Sequence, residues 1–113
     1  MNLEELINYC SQKPAVSQEF PFGEETLVFK VSGKIFALTG LNNETLEVNL
    51  KCAPEKAIEW REKHDEIRPG YHMNKKHWNT VNFEGHLSSK FLKELIDHSY
   101  EMVWNQLPKK LRV

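Results

Sequence analysis

Between Thr26 and Leu50, two runs that alternate at a period of two, 26–31 and 45–50, flank a third, mostly apolar run at 34–39, and this pattern constrains the fold more than any other feature of the chain. Successive side chains of a β-strand point to opposite faces, so each run predicts a strand. Turn signals at 32–33 and 40–44 separate the runs. The alternation predicts an antiparallel meander with one face in water. Its shared hydrophobic face consists of Leu27, Phe29, Val31, Leu46, Val48 and Leu50.

Helical patterns flank the predicted strands. Asn2 and Glu5 have capping-box spacing at the start of a first helix, which Pro14 ends. Ser88 or Ser89 can cap a last helix that ends before Pro108. The hydrophobic stripes that recur at helical spacing are Leu3, Leu6, Ile7 and Cys10 in the first helix, and Phe91, Leu92, Leu95, Ile96, Met102 and Val103 in the last.

A middle helix is predicted to begin at Ala53-Pro54 and to continue to Glu66, with Ala57, Ile58 and Arg61 on related faces. Pro69-Gly70 stops it, and residues 77–83 suit a further strand. The order of elements predicts an α+β fold in which a mostly antiparallel sheet is packed on one face by the N-terminal, middle and C-terminal helices. We expect residues 1–113 to form a single domain.

Charge and cysteine content exclude several classes of protein. The chain has 15 Lys and Arg against 16 Asp and Glu, so its net charge predicts neither a strong nucleic-acid binder nor a membrane-surface protein. The excess of basic residues lies in the second half, where an anion-binding surface is therefore expected. No apolar run approaches the ~20 residues of a membrane span. Two cysteines without a CxxC pair indicate reduced thiols, and we expect a cytoplasmic monomer.

The segment RPGYHMNKKHWNTV, residues 68–81, is basic and aromatic and contains no carboxylate. Its cations suit phosphate contacts, and its rings can stack on bases or lie along the sugar-phosphate edge. The alternative is structural: Tyr71 and Trp78 can be core or boundary aromatics, and Lys75 and Lys76 can simply keep a loop in water. The candidate DNA-binding residues of this segment are Arg68, Tyr71, His72, Asn74, Lys75, Lys76, His77 and Trp78.

Four stretches give the chain a family resemblance. They are EFPFGEETLVFKVSGKIFAL, NLKCAPEKAIEWRE, RPGYHMNKKHWNTV and DHSYEMVW, and together they cover most of the sequence. In these residues and in their spacing the chain resembles the MmcQ/YjbR-like proteins. The resemblance implies a small bacterial protein with a CyaY-like α+β fold and DNA binding through paired hairpin wings. It thereby adds Lys30 and Lys34, at the predicted hairpin, to the candidate contacts.

Metal sites and catalytic motifs are not indicated. The five histidines form no HxH, HxxxH or HExxH pattern. Frataxin-type proteins, which share the CyaY-like fold, bind iron through an acidic ridge, but the carboxylates available here, Glu4, Glu5, Glu24 and Glu25, are too scattered to form one. Glycine-rich phosphate loops and GxSxG motifs are missing. Cys52 precedes a predicted helix, which can lower a thiol pKa, but a buried and inert thiol is the favoured interpretation. We therefore expect no metal, no cofactor and no enzymatic activity.

The leading hypothesis is a non-enzymatic binding module with weak or partner-dependent DNA binding. The alternative is a protein- or peptide-binding adaptor that uses the same aromatic surface or an exposed sheet edge. A small-molecule enzyme ranks third, and a pocket that joins Tyr71, His72 and Cys52 would favour it.

Overall fold

The structure, a computed structural model, describes residues 1–112. Its elements in chain order are α1 (Leu3–Ser11), β1 (Val16–Glu19), β2 (Thr26–Val31), β3 (Lys34–Gly40), β4 (Glu47–Lys51), α2 (Pro54–Lys63), β5 (Ile67–Pro69), β6 (Trp78–Asn82), α3 (Ser89–Trp104) and a 3-10 turn (Lys109–Leu111).

The six strands form one antiparallel sheet in the order β1-β2-β3-β4-β6-β5, and the helices cover one of its faces. This confirms the α+β prediction. The core lies between that face and the helices, and the predicted stripe Leu27, Phe29, Val31, Leu46, Val48 and Leu50 belongs to it. No helix within residues 1–112 is long and apolar enough to cross a membrane.

The β2–β3 hairpin has the tight turn that the sequence predicts. Ser32 and Gly33 both have positive φ, 46° and 83°, as a two-residue turn matched to the strand twist requires. A register shift follows between Phe29 and Lys30. Because of it, the adjacent residues Phe36 and Ala37 are both buried in the core.

Four consecutive residues of α3 tie it to the rest of the molecule. Asp97 accepts from Tyr9 Oη at 2.7 Å and from Lys13 Nζ at 2.5 Å on the α1 side. His98 Nε2 accepts from the Ala53 N–H (3.1 Å). Ser99 Oγ accepts from the Lys51 N–H (2.8 Å) and donates to the Phe36 carbonyl (2.5 Å), and Tyr100 Oη donates to the Pro14 carbonyl (2.6 Å). The DHSY stretch, at residues 97–100, therefore has a structural explanation.

Several predicted boundaries are wrong. Helix α2 ends at Lys63 instead of Glu66, because His64 is extended (φ −134°) and the chain turns into β5, a strand that periodicity missed. Strand β1 was missed too, since it has only four residues and none of them is fully buried. Ala57 and Ile58 were predicted on related faces of α2, but Ala57 is buried and Ile58 is 56% exposed.

Candidate functional site

The helix-free face of the sheet carries an open cleft of about 500 Å³. Its floor is a row of residues in register across four strands: Leu38, Asn49, Thr80 and Arg68. Three connections rise around this floor, at 20–25, 41–46 and 70–77. They supply the remaining lining together with the strand residues Thr26, Thr39, Gly40 and Glu47. The face that the alternation predicted to be in water is thus concave, and its residues Val28, Leu38 and Thr80 are buried instead of exposed.

The β5–β6 loop, residues 70–77, folds back over the sheet to form one wall. The Gly70 N–H donates to the Trp78 carbonyl at 2.8 Å, and the Tyr71 N–H donates to Thr80 Oγ1 at 2.9 Å. A Cβ added at Gly70 would lie 2.8 Å from the Trp78 Cβ, so the close approach requires glycine. His72 then takes a left-handed conformation, with φ 58°.

The floor presents hydrogen-bonding groups. The Thr80 hydroxyl donates to Asn49 Oδ1 while it accepts from the Tyr71 N–H, so it fixes both neighbours. The amide nitrogen of Asn49 has no acceptor among residues 1–112 and remains a donor in the cleft. Arg68 Nη1 donates to Glu47 Oε2 at 2.6 Å, and both side chains line the cleft.

Aromatic side chains form two opposite walls. Phe22 is 64% exposed and precedes β2, whereas Tyr71 is 66% exposed and follows β5. The Tyr71 and His72 rings lie together, with centroids 4.0 Å apart. Further exposed apolar side chains stand in the neighbouring connections, Phe20 beside Phe22 and Leu41 after β3.

The structure divides the predicted segment into four groups. Arg68, Tyr71 and His72 line the cleft, while Lys75 and Lys76 are exposed at the far end of the loop. Asn74 is structural, because its Oδ1 accepts from the Lys76 N–H at 2.9 Å and holds the turn. His77 and Trp78 are half-buried, and His77 Nδ1 is buried without a partner among the described residues.

The hairpin lysines are separate from the cleft. Lys30 Nζ binds Glu19 Oε1 at 3.0 Å, and this bond lowers the pKa of the Glu19 carboxyl. Lys34 is exposed at the start of β3. Strands β3 and β4 lie between β2 and β6, so β2 and β6 are three strand-to-strand spacings, or about 14 Å, apart. Because Glu19 pairs with Lys30, the ammonium of Lys34 is the more available of the two charges.

Sequence reasoning missed both the floor and the support of the loop. Asn49 and Thr80 looked like ordinary polar positions in strands, and Phe22 could have been noticed as an aromatic in a proline- and glycine-containing loop. Arg61 of α2 donates to Asn79 Oδ1 at 2.7 Å and to the carbonyls of Trp78 and Lys75. It braces the loop from behind, and its helical spacing gave no signal of that role.

Cys52 does not join Tyr71 and His72. Its side chain is buried away from the cleft and donates to the Ala53 carbonyl. Burial raises the pKa of its thiol to about 12, and likewise that of Cys10. Both thiols are therefore protonated and weakly nucleophilic near neutral pH. Within residues 1–112, no three His, Cys, Asp or Glu side chains cluster as metal ligands would.

Known proteins share both the sequence and the fold. The family profile described as YjbR matches residues 11–102. The chain is 35% identical to the YjbR protein of Escherichia coli K12 over 99% of this chain and 95% of that protein. It is 40% identical to the YbdF protein of Escherichia coli O157:H7, covering 86% and 80%.

Two solved structures are also similar. A Deinococcus radiodurans protein with a domain called DUF419 has a TM-score of 0.93 and 38% identity, covering 98% of this chain and 85% of that chain. A Pseudomonas syringae protein has a TM-score of 0.77 and 32% identity, covering 90% and 98%. The similarity to the Deinococcus protein extends over nearly the whole chain.

Proposed function

The chain belongs to the YjbR family, and from the geometry of its β5–β6 loop we propose that it is a small, non-enzymatic binding module that contacts DNA. The observation that carries the proposal is the exposure, on one loop, of two adjacent lysines together with the rings of Tyr71 and His72. Phosphate contacts supply most of the affinity in protein–DNA binding, and rings can lie on bases or sugars.

The charges of this loop are available to an anion. Lys75 Nζ donates to the Gly70 carbonyl at 3.0 Å, a neutral acceptor that leaves the positive charge uncompensated. Lys76 is exposed beside it. Arg68 and Lys30 differ, because carboxylates already neutralise them. The proposal therefore assigns phosphate contacts mainly to Lys75, Lys76 and the wing residue Lys34.

A binding role also agrees with the chemistry of the buried thiols, whose raised pKa values make them poor nucleophiles. With so few phosphate contacts we expect weak, strongly salt-dependent affinity, or affinity that a partner increases. The proposal places the protein in the cytoplasm as a monomer, where free cysteines stay reduced and DNA is accessible.

The test is the double variant Lys75→Ala/Lys76→Ala, titrated with labelled DNA at two salt concentrations. Loss of two phosphate contacts should weaken binding about equally for different DNA sequences and lower the slope of log affinity against log salt by up to ~2. The matched control is Lys90→Ala/Lys93→Ala, which removes the same charge from two exposed positions of α3. Unchanged affinity and slope in the first variant would exclude this loop as a DNA contact.

A second candidate function is a peptide- or protein-binding adaptor. Exposed apolar side chains favour it: Phe22 and Tyr71 line the cleft, and Phe20 and Leu41 are exposed in the connections beside it. An apolar interface changes little with salt, whereas counterion release makes DNA affinity fall steeply. A partner whose affinity is salt-insensitive and drops on Phe22→Ala would favour the adaptor.

A further inference from the structure

The two sides of the cleft offer flat apolar surfaces. Phe22 and Tyr71 come from connections on opposite sides of the β3–β4 floor, and both are mostly exposed. Side chains so exposed contribute little to the core, and aromatic faces are the surfaces on which unpaired bases stack. The walls therefore suit a planar ring better than a flexible chain.

The floor between these walls offers directional donors. Thr80 holds the side-chain oxygen of Asn49, which leaves the Asn49 amide nitrogen to donate toward a ligand. Arg68 uses Nη1 for Glu47 and keeps further N–H donors. A ring that enters the cleft would meet donors at its edge, and ring nitrogens and exocyclic carbonyls of nucleobases are matching acceptors.

The cleft has the size of a site for a single base and not for a duplex. Its volume of about 500 Å³ lies within the ~300–1,000 Å³ of small-ligand sites. A paired and stacked base cannot reach such a floor, so the base must be unpaired or extruded. The exposed residues Lys75 and Lys76 lie on the same loop as Tyr71, where they can contact the phosphates of an unpaired strand.

We infer that the cleft accepts one unpaired nucleobase, stacked on Tyr71 and Phe22 and hydrogen-bonded at its edge to Asn49 and Arg68. This inference extends the DNA-binding proposal and rests on it, because a single DNA strand is taken as the source of the base. A free nucleoside has the same ring chemistry and is the other source. The cleft then distinguishes single strands from duplexes, which the exposed lysines alone do not.

The experiment compares four probes at one salt concentration: a mixed-sequence single strand, its duplex, the same strand with abasic residues, and nucleoside monophosphates. The single strand should bind about 5- to 100-fold more tightly than the abasic strand, the range expected for one stacked base. Tyr71→Ala should remove that difference, whereas Tyr71→Phe, which keeps the ring, should retain most of it. Tyr71 is exposed, so neither change threatens the fold.

The outcomes separate this inference from the proposal on which it rests. Equal binding of all three DNA probes would overturn the base site while DNA binding through phosphates stands. Binding of nucleoside monophosphates without DNA binding would support the base site and overturn the DNA proposal. If no probe binds, both are wrong. Retention of the single-strand preference in Tyr71→Ala would also overturn the base site.

Discussion

At the residue scale, the same side-chain types have different roles according to their partners. Lys76 is exposed, but Lys30 is held by Glu19, and Arg68 is held by Glu47. His72 stands at the cleft, whereas His98 is half-buried and accepts from the Ala53 N–H just before α2. The role of a cation or a histidine in this chain therefore depends on the residues that surround it in the fold.

His98 makes the stability of the fold depend on pH. Burial, and secondly the nearby charge of Lys56, lower its pKa, while Glu101 acts in the opposite direction. The folded state thus favours the neutral ring that accepts from Ala53. Its contribution is present above the ordinary pKa of 6.5 and is lost as pH falls from there through the lowered folded value.

The measurement is the urea midpoint at several pH values between 8 and 5 for the natural chain and for His98→Gln. Glutamine keeps an acceptor oxygen but does not titrate. We expect the natural chain to lose more stability than the variant as pH falls through this range. Identical pH profiles would show that the His98–Ala53 bond has no role in this dependence.

At the element scale, α3 organises the molecule. It packs its apolar stripe on the sheet, and Asp97, His98, Ser99 and Tyr100 bind α1, β3, β4 and the segments that precede β1 and α2. The β5–β6 loop is held less extensively than α3, by a few contacts that include those to Arg61 and Thr80. Binding residues on a loop that a rigid scaffold positions are common in proteins.

Leu95→Ala tests the packing of α3. Leu95 is 3% exposed and belongs to the core cluster. Its truncation should lower the free energy of unfolding by about 2–5 kcal/mol, the usual cost of removing a buried leucine. The control is the exposed neighbour Glu94→Ala, expected within about 0.5 kcal/mol of the natural chain. Chemical denaturation measures both, and a loss below about 1 kcal/mol for Leu95→Ala would contradict this packing.

At the scale of the whole molecule, one core connects every layer. The radius of gyration is 13.2 Å, which matches the ~13 Å expected for a single domain of this length. The buried cluster includes residues of α1, the sheet and α3, and Trp60 of α2 packs against it. No part of the described chain has a core of its own.

We therefore predict that the protein unfolds in a single cooperative transition, as small single domains usually do. Far-ultraviolet circular dichroism and tryptophan fluorescence should give the same urea midpoint, because Trp60, Trp78 and Trp104 report on different parts of the fold. Two separated midpoints would show that the chain contains more than one folding unit.

Much of the fold was predictable from the sequence because local periodicity records which face of an element is apolar. The alternation at Leu27, Phe29 and Val31 and the stripe of α3 each give one face, and the structure buries those faces. Capping at Asn2 and the turn at Ser32-Gly33 are likewise local. Short strands such as β1 and β5 lie below the length at which periodicity is informative.

The candidate site depended on tertiary structure. The pairs Lys30–Glu19 and Arg68–Glu47 join residues 11 and 21 positions apart, so no local pattern shows that these cations are neutralised. The cleft exists because Gly70 allows the β5–β6 loop to fold back until the Tyr71 N–H reaches Thr80. The sequence determined which residues are apolar and which can bind; strand pairing and loop closure alone decided which of them meet.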